Sequence, residues 1–260
     1  MKSHQPTSED SSIVVEKLSH SFDDVLVLDE MDCSFPKGSL IAILGPSGCG
    51  KTTFLKALAG LLKPTSGSIH LDGFQPIEAR QHGSIGFAFQ SPTLLPWRTS
   101  LQNVLLPLEI LGRMHNLKEL AFAKKLLTLV DLQNEANKLP SQLSGGMQQR
   151  VGLARSLATM PSFLFLDEPF GALDGLTRDR LNEKVRQLWQ DFPLTIVFVT
   201  HSVEEAVFLA DFVLIMSPRP SRIRHVERIE LGTHREASVR MSDEFWTYRK
   251  HIIEITRELT

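Results

Sequence analysis

The chain has little cysteine, no excess of charge and no long apolar run. Its 260 residues hold two cysteines, Cys33 and Cys49. Two thiols are too few for a disulfide framework and fit a reducing compartment; without metal-ligand spacing, both read as free thiols. Lys and Arg number 28 against 30 Asp and Glu, a net charge of -2. That balance gives no bulk attraction toward DNA, RNA or anionic lipid, and no nucleic-acid partner is expected. Apolar runs such as 40–44 and 212–216 are strand-sized, far short of the roughly 20 residues that span a bilayer. If this protein serves a membrane, it docks onto another subunit. The opening MKSHQPTSED lacks the apolar run of a secretory signal, and residues 1–12 are expected to form a loose tail. There is no internal repeat and no low-complexity tract.

What is present is a core-forming composition, 42% hydrophobic. Apolar, β-rich runs at 13–15, 40–44, 163–166, 195–199 and 212–216 alternate with helical patterns, which predicts an α/β fold with a mostly parallel sheet. Phe54, Leu55, Leu58 and Leu62 recur at helical spacing, as do Leu181, Val185, Leu188 and Trp189; these are core stripes. From Ser91 to Pro140 strand signals vanish, and Leu117 to Val130 is the longest helical stretch, so a helical subdomain is inserted there. Phe245, Tyr248, Ile252 and Ile255 mark a terminal amphipathic helix that Ser242 or Asp243 can cap.

The strand at 40–44 runs into GPSGCGKT, residues 45–52, and then into a helix. Gly45, Gly48 and Gly50 let the backbone turn so that successive N–H groups face phosphate oxygens, and the helix N-terminus adds partial positive charge. Pro46, Ser47 and Cys49 complete the loop. Lys51 is placed for the β and γ phosphates and the Thr52 hydroxyl for Mg²⁺, with Thr53 a weaker helper. A second apolar strand, 163–166, ends in Asp167-Glu168. Asp167 is suited to Mg²⁺ and its water shell, and Glu168 to polarising the attacking water. Further on in kind, Leu143-Ser144-Gly145-Gly146 opens a helix whose apolar face is Met147, Val151, Ala154 and Ala158, which makes a second anion site. Two such surfaces either clamp one nucleotide within a monomer or serve an ATP shared with a second copy. The residues alone do not choose.

With these motifs in this order, the chain resembles the ATP-binding cassette (ABC) superfamily from about Ile13 to Asp211. The signature is LSGGM here, with Met147 where glutamine is frequent. The resemblance implies a P-loop NTPase core over 13–90 and 159–240 with an N-terminal antiparallel β part, a helical subdomain over 91–158 and a C-terminal helix over 241–260. It implies a head-to-tail homodimer in which Ser144 and Gly146 of one copy meet the ATP held by the other. Phe22 matches the position of an aromatic that stacks on adenine. Gln90 matches the Q-loop residue linking Mg²⁺ and water to the helical part, Asp174 the D-loop aspartate at the dimer interface, and His201 the switch histidine for the γ-phosphate. Gly171 stands where serine is frequent.

The tract Leu94-Leu-Pro96-Trp97 is typical of where cassettes receive a membrane partner's coupling helix, although Trp97 reads equally well as core. With Asp174-Gly-Leu-Thr-Arg178, it resembles the nitrate, sulfonate and taurine importer group. The expected function is therefore ATP hydrolysis that drives solute uptake through permease subunits, with a solute-binding protein as an indirect partner, at the cytoplasmic face of the inner membrane. The alternative class is a soluble ABC ATPase acting on nucleic acid, ribosomes or cofactor assembly; its long coiled-coil insertions and basic extensions are not visible. The basic segment 219–228 reads as a solvated hairpin.

Overall fold

The computed structural model describes residues 11–113, 117–171, 174–192 and 194–259. Among these residues nine strands fall in two sheets. In the smaller one β1 (Ser11–Phe22) pairs antiparallel with β2 (Val25–Pro36) and with β4 (Ser66–Leu71). The larger has the order β5 (Ile85–Ala88), β6 (Phe163–Asp167), β7 (Thr195–Val199), β3 (Leu40–Leu44), β8 (Phe212–Met216), β9 (Ile223–Arg228). Its first five strands are parallel and β9 is antiparallel to β8.

The central strands are apolar throughout because both faces of the parallel sheet are covered. Leu40, Ala42, Leu44, Leu164, Leu166, Ile196 and Phe198 point into one core, and the residues between them, Ile41, Ile43, Phe165 and Val197, into the other. This two-residue alternation separates two hydrophobic layers. The second layer holds helix α1 (Lys51–Leu58), with Phe54, Leu55 and Leu58 buried beneath the antiparallel sheet. The first holds the expected helical insertion: α3 (Ser100–Ile110), α4 (Leu117–Leu129) and α5 (Gly145–Leu157), the last packing on β5 as well as on its helical neighbours. A short helix, α2 (Pro76–Gln81), precedes β5. Helices α6 (Gly175–Asp191) and α7 (Val203–Leu209) complete this side, with Leu181, Val185 and Trp189 packed inward as their spacing predicts.

The terminal helix, α8 (Asp243–Glu258), is capped by Ser242, whose hydroxyl accepts from Phe245 N at 3.2 Å. Asp243 and Glu244 stand in its first turn and Arg257 in its last, each favourable to the helix dipole. Phe245 and Ile252 are fully buried. Among the described residues no helix is long and apolar enough to cross a membrane.

Two expectations need correction. The tail predicted over 1–12 falls mostly outside the described residues, but Ser11 and Ser12 already belong to β1. Ser12 is buried, its carbonyl accepting from Asp72 N at 2.7 Å, because strand pairing extends past the apolar run that marked the strand. The 219–228 segment does form a hairpin arm, β9, but it is not merely solvated: Arg222 pairs with Asp29 at 2.8 Å and donates to it through Nε at 2.9 Å.

Candidate functional site

The loop 45–50 leaves the buried end of β3 and enters α1. Gly48 has φ 73° and Gly50 φ 120°, conformations that a side chain resists, and a Cβ on Gly50 would lie 3.0 Å from Val27 Cγ1. The close approach of Val27 and Leu28 brings the β1–β2 hairpin against the loop. Phe22 lies at the end of β1 opposite Val25; its ring is about half exposed, edge-on to His20 at 4.6 Å. Ser47 and Gly48 face solvent, while the Cys49 side chain is buried and its N–H donates to Pro46 O at 3.3 Å. Cys33 and Cys49 are both free thiols, and burial pushes the Cys33 thiol well above its ordinary range.

Lys51 is 5% exposed, and its ammonium bonds the loop carbonyls Gly45 O at 2.8 Å and Pro46 O at 2.9 Å. It thus lies along the inside of the loop. Thr52 donates its hydroxyl to Asp167 Oδ1 at 2.8 Å, which joins the start of α1 to the end of β6. Burial raises the Asp167 carboxyl above its ordinary value and the neighbouring Glu168 adds to this, while the Thr52 hydrogen bond and Lys56 and Lys51 pull the other way. Thr53 follows in α1, half-buried.

Glu168 sits one residue past β6 in a left-handed backbone conformation, φ 48°. Its carboxylate is held from both sides. Gln90 Nε2, from beyond β5, donates to Oε2 at 3.1 Å, and His201 Nε2, from beyond β7, lies 2.6 Å from Oε1. A carboxylate so oriented, and still partly exposed, can accept a proton from water. The three residues come together because β5, β6 and β7 are adjacent parallel strands that end at one edge, where α/β sheets receive ligands.

Two supports escaped the sequence reading. Gln149 of α5 donates through Nε2 to Glu168 O at 3.0 Å, and nothing in its position three residues beyond Gly146 announces this. The His201 loop is braced by Glu205, whose carboxylate accepts from the Thr200 hydroxyl, while Ser202 N donates to Thr200 Oγ1 at 3.0 Å. Ser202 also caps α7, accepting from Glu205 N at 3.2 Å. The S-x-x-E spacing of Ser202 and Glu205 was the available signal.

Other candidates lie on other elements. Ser144 is exposed and caps α5, accepting from Met147 N at 3.3 Å; among the described residues no hydrogen bond joins Ser144, Gly145 or Gly146 to the 45–52 loop. Asp174 is exposed and accepts from Thr177 N at 3.0 Å at the start of α6, and the neighbouring 172–173 lie outside the described residues. Trp97 is 72% exposed, which removes the core reading. Unforeseen, the end of α8 reaches the site: Thr256, Arg257 and Leu259 share a cavity of about 270 Å³ with Gly45, Pro46, His201 and Met216.

A glycine loop wrapped around a lysine at a helix N-terminus, with a strand-end carboxylate pair beside it, defines a P-loop nucleotide-binding protein. Residues 28–171 match the profile of the family described as ABC transporter. The chain is 43% identical over 249 residues to an uncharacterized ABC transporter ATP-binding protein of Methanocaldococcus jannaschii, covering 94% of this chain and 91% of that one. It is 39% identical over 255 residues to the taurine import ATP-binding protein TauB of Pseudomonas aeruginosa PAO1, with 94% and 95% covered. The dimeric structure of the ABC transporter cassette MJ0796 superposes with a TM-score of 0.78 at 30% identity, covering 84% of this chain and 99% of that one. The chain belongs to the ABC transporter family, and it is an ATPase of the ATP-binding cassette type.

Proposed function

We propose that this chain is the energising subunit of an importer, working as a head-to-tail homodimer on the cytoplasmic face of the membrane beneath two permease subunits. The observation that carries the catalytic part is the two-sided hold on Glu168 by Gln90 and His201. In this reading the 45–52 loop binds the phosphates of ATP, Lys51 turns from the loop carbonyls to the β and γ phosphates, and Phe22 stacks on adenine. Glu168 takes the proton of the attacking water as its oxygen bonds to the γ-phosphorus and the bridge to the β-phosphate breaks. His201 hydrogen-bonds the γ-phosphate. Thr52, Asp167 and Gln90 supply hydroxyl, carboxylate and amide oxygens, the hard donors that suit Mg²⁺. When bound, that ion neutralises charge on the β and γ oxygens.

That no hydrogen bond joins Ser144, Gly145 or Gly146 to the 45–52 loop among the described residues, and that Ser144 is exposed, supports an ATP shared between copies, with Asp174 at the interface. ATP then closes the dimer through contacts made only in the closed state, which is what lets it bias a membrane partner. Exposed Trp97 supports a permease contact at the 94–97 tract. The similarity to TauB supports a taurine-like solute, within the nitrate, sulfonate and taurine group, that never touches this chain and is delivered by a solute-binding protein as an indirect partner. Two measurements test the proposal. Glu168→Gln should bind ATP, accumulate as a dimer and turn over about 10² to 10⁴-fold more slowly; wild-type turnover would remove Glu168 from its role. The chain should co-isolate with two copies of a membrane subunit, and recovery with ribosomes or DNA instead would overturn the importer assignment.

A further inference from the structure

A cluster of metal-ligating side-chain types lies where β9 meets α8. Strand β9 is the last strand of the larger sheet, and His225 and Glu227, two residues apart on it, project from one face. His251 reaches the same point from α8. Glu227 Oε2 lies 2.7 Å from His225 Nε2 and 3.6 Å from His251 Nε2, and the two imidazoles stand edge to face with centroids 6.0 Å apart. One ligand atom from each residue falls within 4.8 Å of the others.

We propose that His225, Glu227 and His251 form a binding site for one divalent transition-metal ion of the Zn²⁺ class, which fastens α8 to β9. Two imidazole nitrogens and a carboxylate are a donor set such ions accept, leaving the fourth tetrahedral position to water. At metal–ligand distances near 2.1 Å, tetrahedral ligand atoms stand about 3.4 Å apart. The Glu227–His251 separation already matches this, and the Glu227–His225 contact needs to open by well under 1 Å. Side-chain exposures of 36%, 21% and 51% leave an entry path and no buried charge to create. The site forms only when both elements are docked, so the ion stabilises that docking. His251 lies five residues before Thr256, whose turn lines the cavity beside Gly45 and His201. Metal binding therefore fixes the part of α8 that approaches the ATP loop.

The test uses the full-length chain without an affinity tag, without nucleotide, and Zn²⁺ titrated in competition with a chromophoric chelator. Wild type should bind one Zn²⁺ per chain and unfold at a higher temperature in its presence. His251→Ala and His225→Ala should each weaken binding about 100-fold and abolish the thermal shift. His251 is half-exposed, so its replacement leaves the fold in place; His251→Gln gives a second check. His201→Ala, which removes the other histidine–carboxylate pair, should retain the site. Co²⁺ should give the visible bands of a tetrahedral complex in wild type and lose them in His251→Ala. Absence of stoichiometric binding, equal affinity in His251→Ala, or loss of binding only in His201→Ala would each overturn the proposal.

Discussion

Replacing Gln149 by methionine isolates the hydrogen bond that α5 makes to the backbone of Glu168. Glu168 holds a left-handed conformation, φ 48°, which costs a residue with a side chain about 1–3 kcal/mol. Three bonds secure it: Glu168 N donates to Val199 O at 3.2 Å, and Glu168 O accepts from Gly171 N at 3.2 Å and from Gln149 Nε2 at 3.0 Å. Methionine keeps the length and volume of glutamine and deletes its amide. Because Gly171 still serves the carbonyl, the loss is one neutral hydrogen bond, about 0.5–1.5 kcal/mol. That is comparable to the lower end of the strain it offsets, so the poised conformer becomes less populated without disappearing. Some 1.4 kcal/mol is a factor of ten, so kcat for ATP should fall by about twofold to twelvefold. The KM for ATP should stay within about twofold, since the 45–52 loop is untouched. Stability should respond less. Gln149 Oε1 is buried without a hydrogen-bond partner, and methionine removes that unsatisfied oxygen as it removes the donor. The midpoint of thermal unfolding should therefore move by no more than about 2–4 °C. Gln149→Glu, which sets a carboxylate against the carbonyl, should reduce kcat further. Phosphate-release kinetics and a melting curve suffice, and a methionine variant with kcat within twofold of wild type would refute the positioning argument.

Two further outcomes are expected. A mixture of Lys51→Ala and Ser144→Arg chains, each inactive alone, should recover about a quarter of wild-type ATPase activity, because half the dimers hold one intact site of two; no recovery would favour a site completed within one chain. Burial raises the Glu205 carboxyl above its ordinary 4.5, against the opposing hydrogen bond from Thr200. The folded chain then takes up that proton before the unfolded chain does, so the group's contribution is fully present below pH 4.5 and is lost as pH rises through the folded value. Glu205→Gln cannot titrate there and should gain in melting temperature on wild type as pH rises from 4.5, levelling off above the window; a difference independent of pH would contradict the burial argument.

Much of the site was legible where its chemistry is contiguous. The 45–52 loop and the Asp167-Glu168 pair each depend on neighbouring residues following a buried strand, and such strands are recognisable by being apolar throughout. The helix α8 was legible by its spacing and its serine cap. Strand β2 was not: its pairing with β1 shifts register between Leu18 and His20 and again between His20 and Ser21, each time with the extra residue in β2, which breaks the alternation that marks a strand. Strand β9 was legible only as a solvated hairpin, for another reason. As an edge strand it carries arginine, histidine and glutamate on positions that a central strand would keep apolar.

By itself the sequence determined the kind of chemistry, since a phosphate cradle, a metal-suited aspartate and an adjacent glutamate need only local backbone and side-chain types. Tertiary structure decided which distant residues meet at one place. Gln90, Glu168 and His201 lie 78 and 33 residues apart along the chain and meet because three parallel strands end side by side. The same packing places Gln149 under the backbone of Glu168, leaves Ser144 exposed with no hydrogen bond to the 45–52 loop among the described residues, and brings α8 to both the histidine cluster and that loop. Such relations depend on the order of strands in the sheet and the docking of helices on it, which hydrophobic periodicity constrains only to a layer and not to a neighbour.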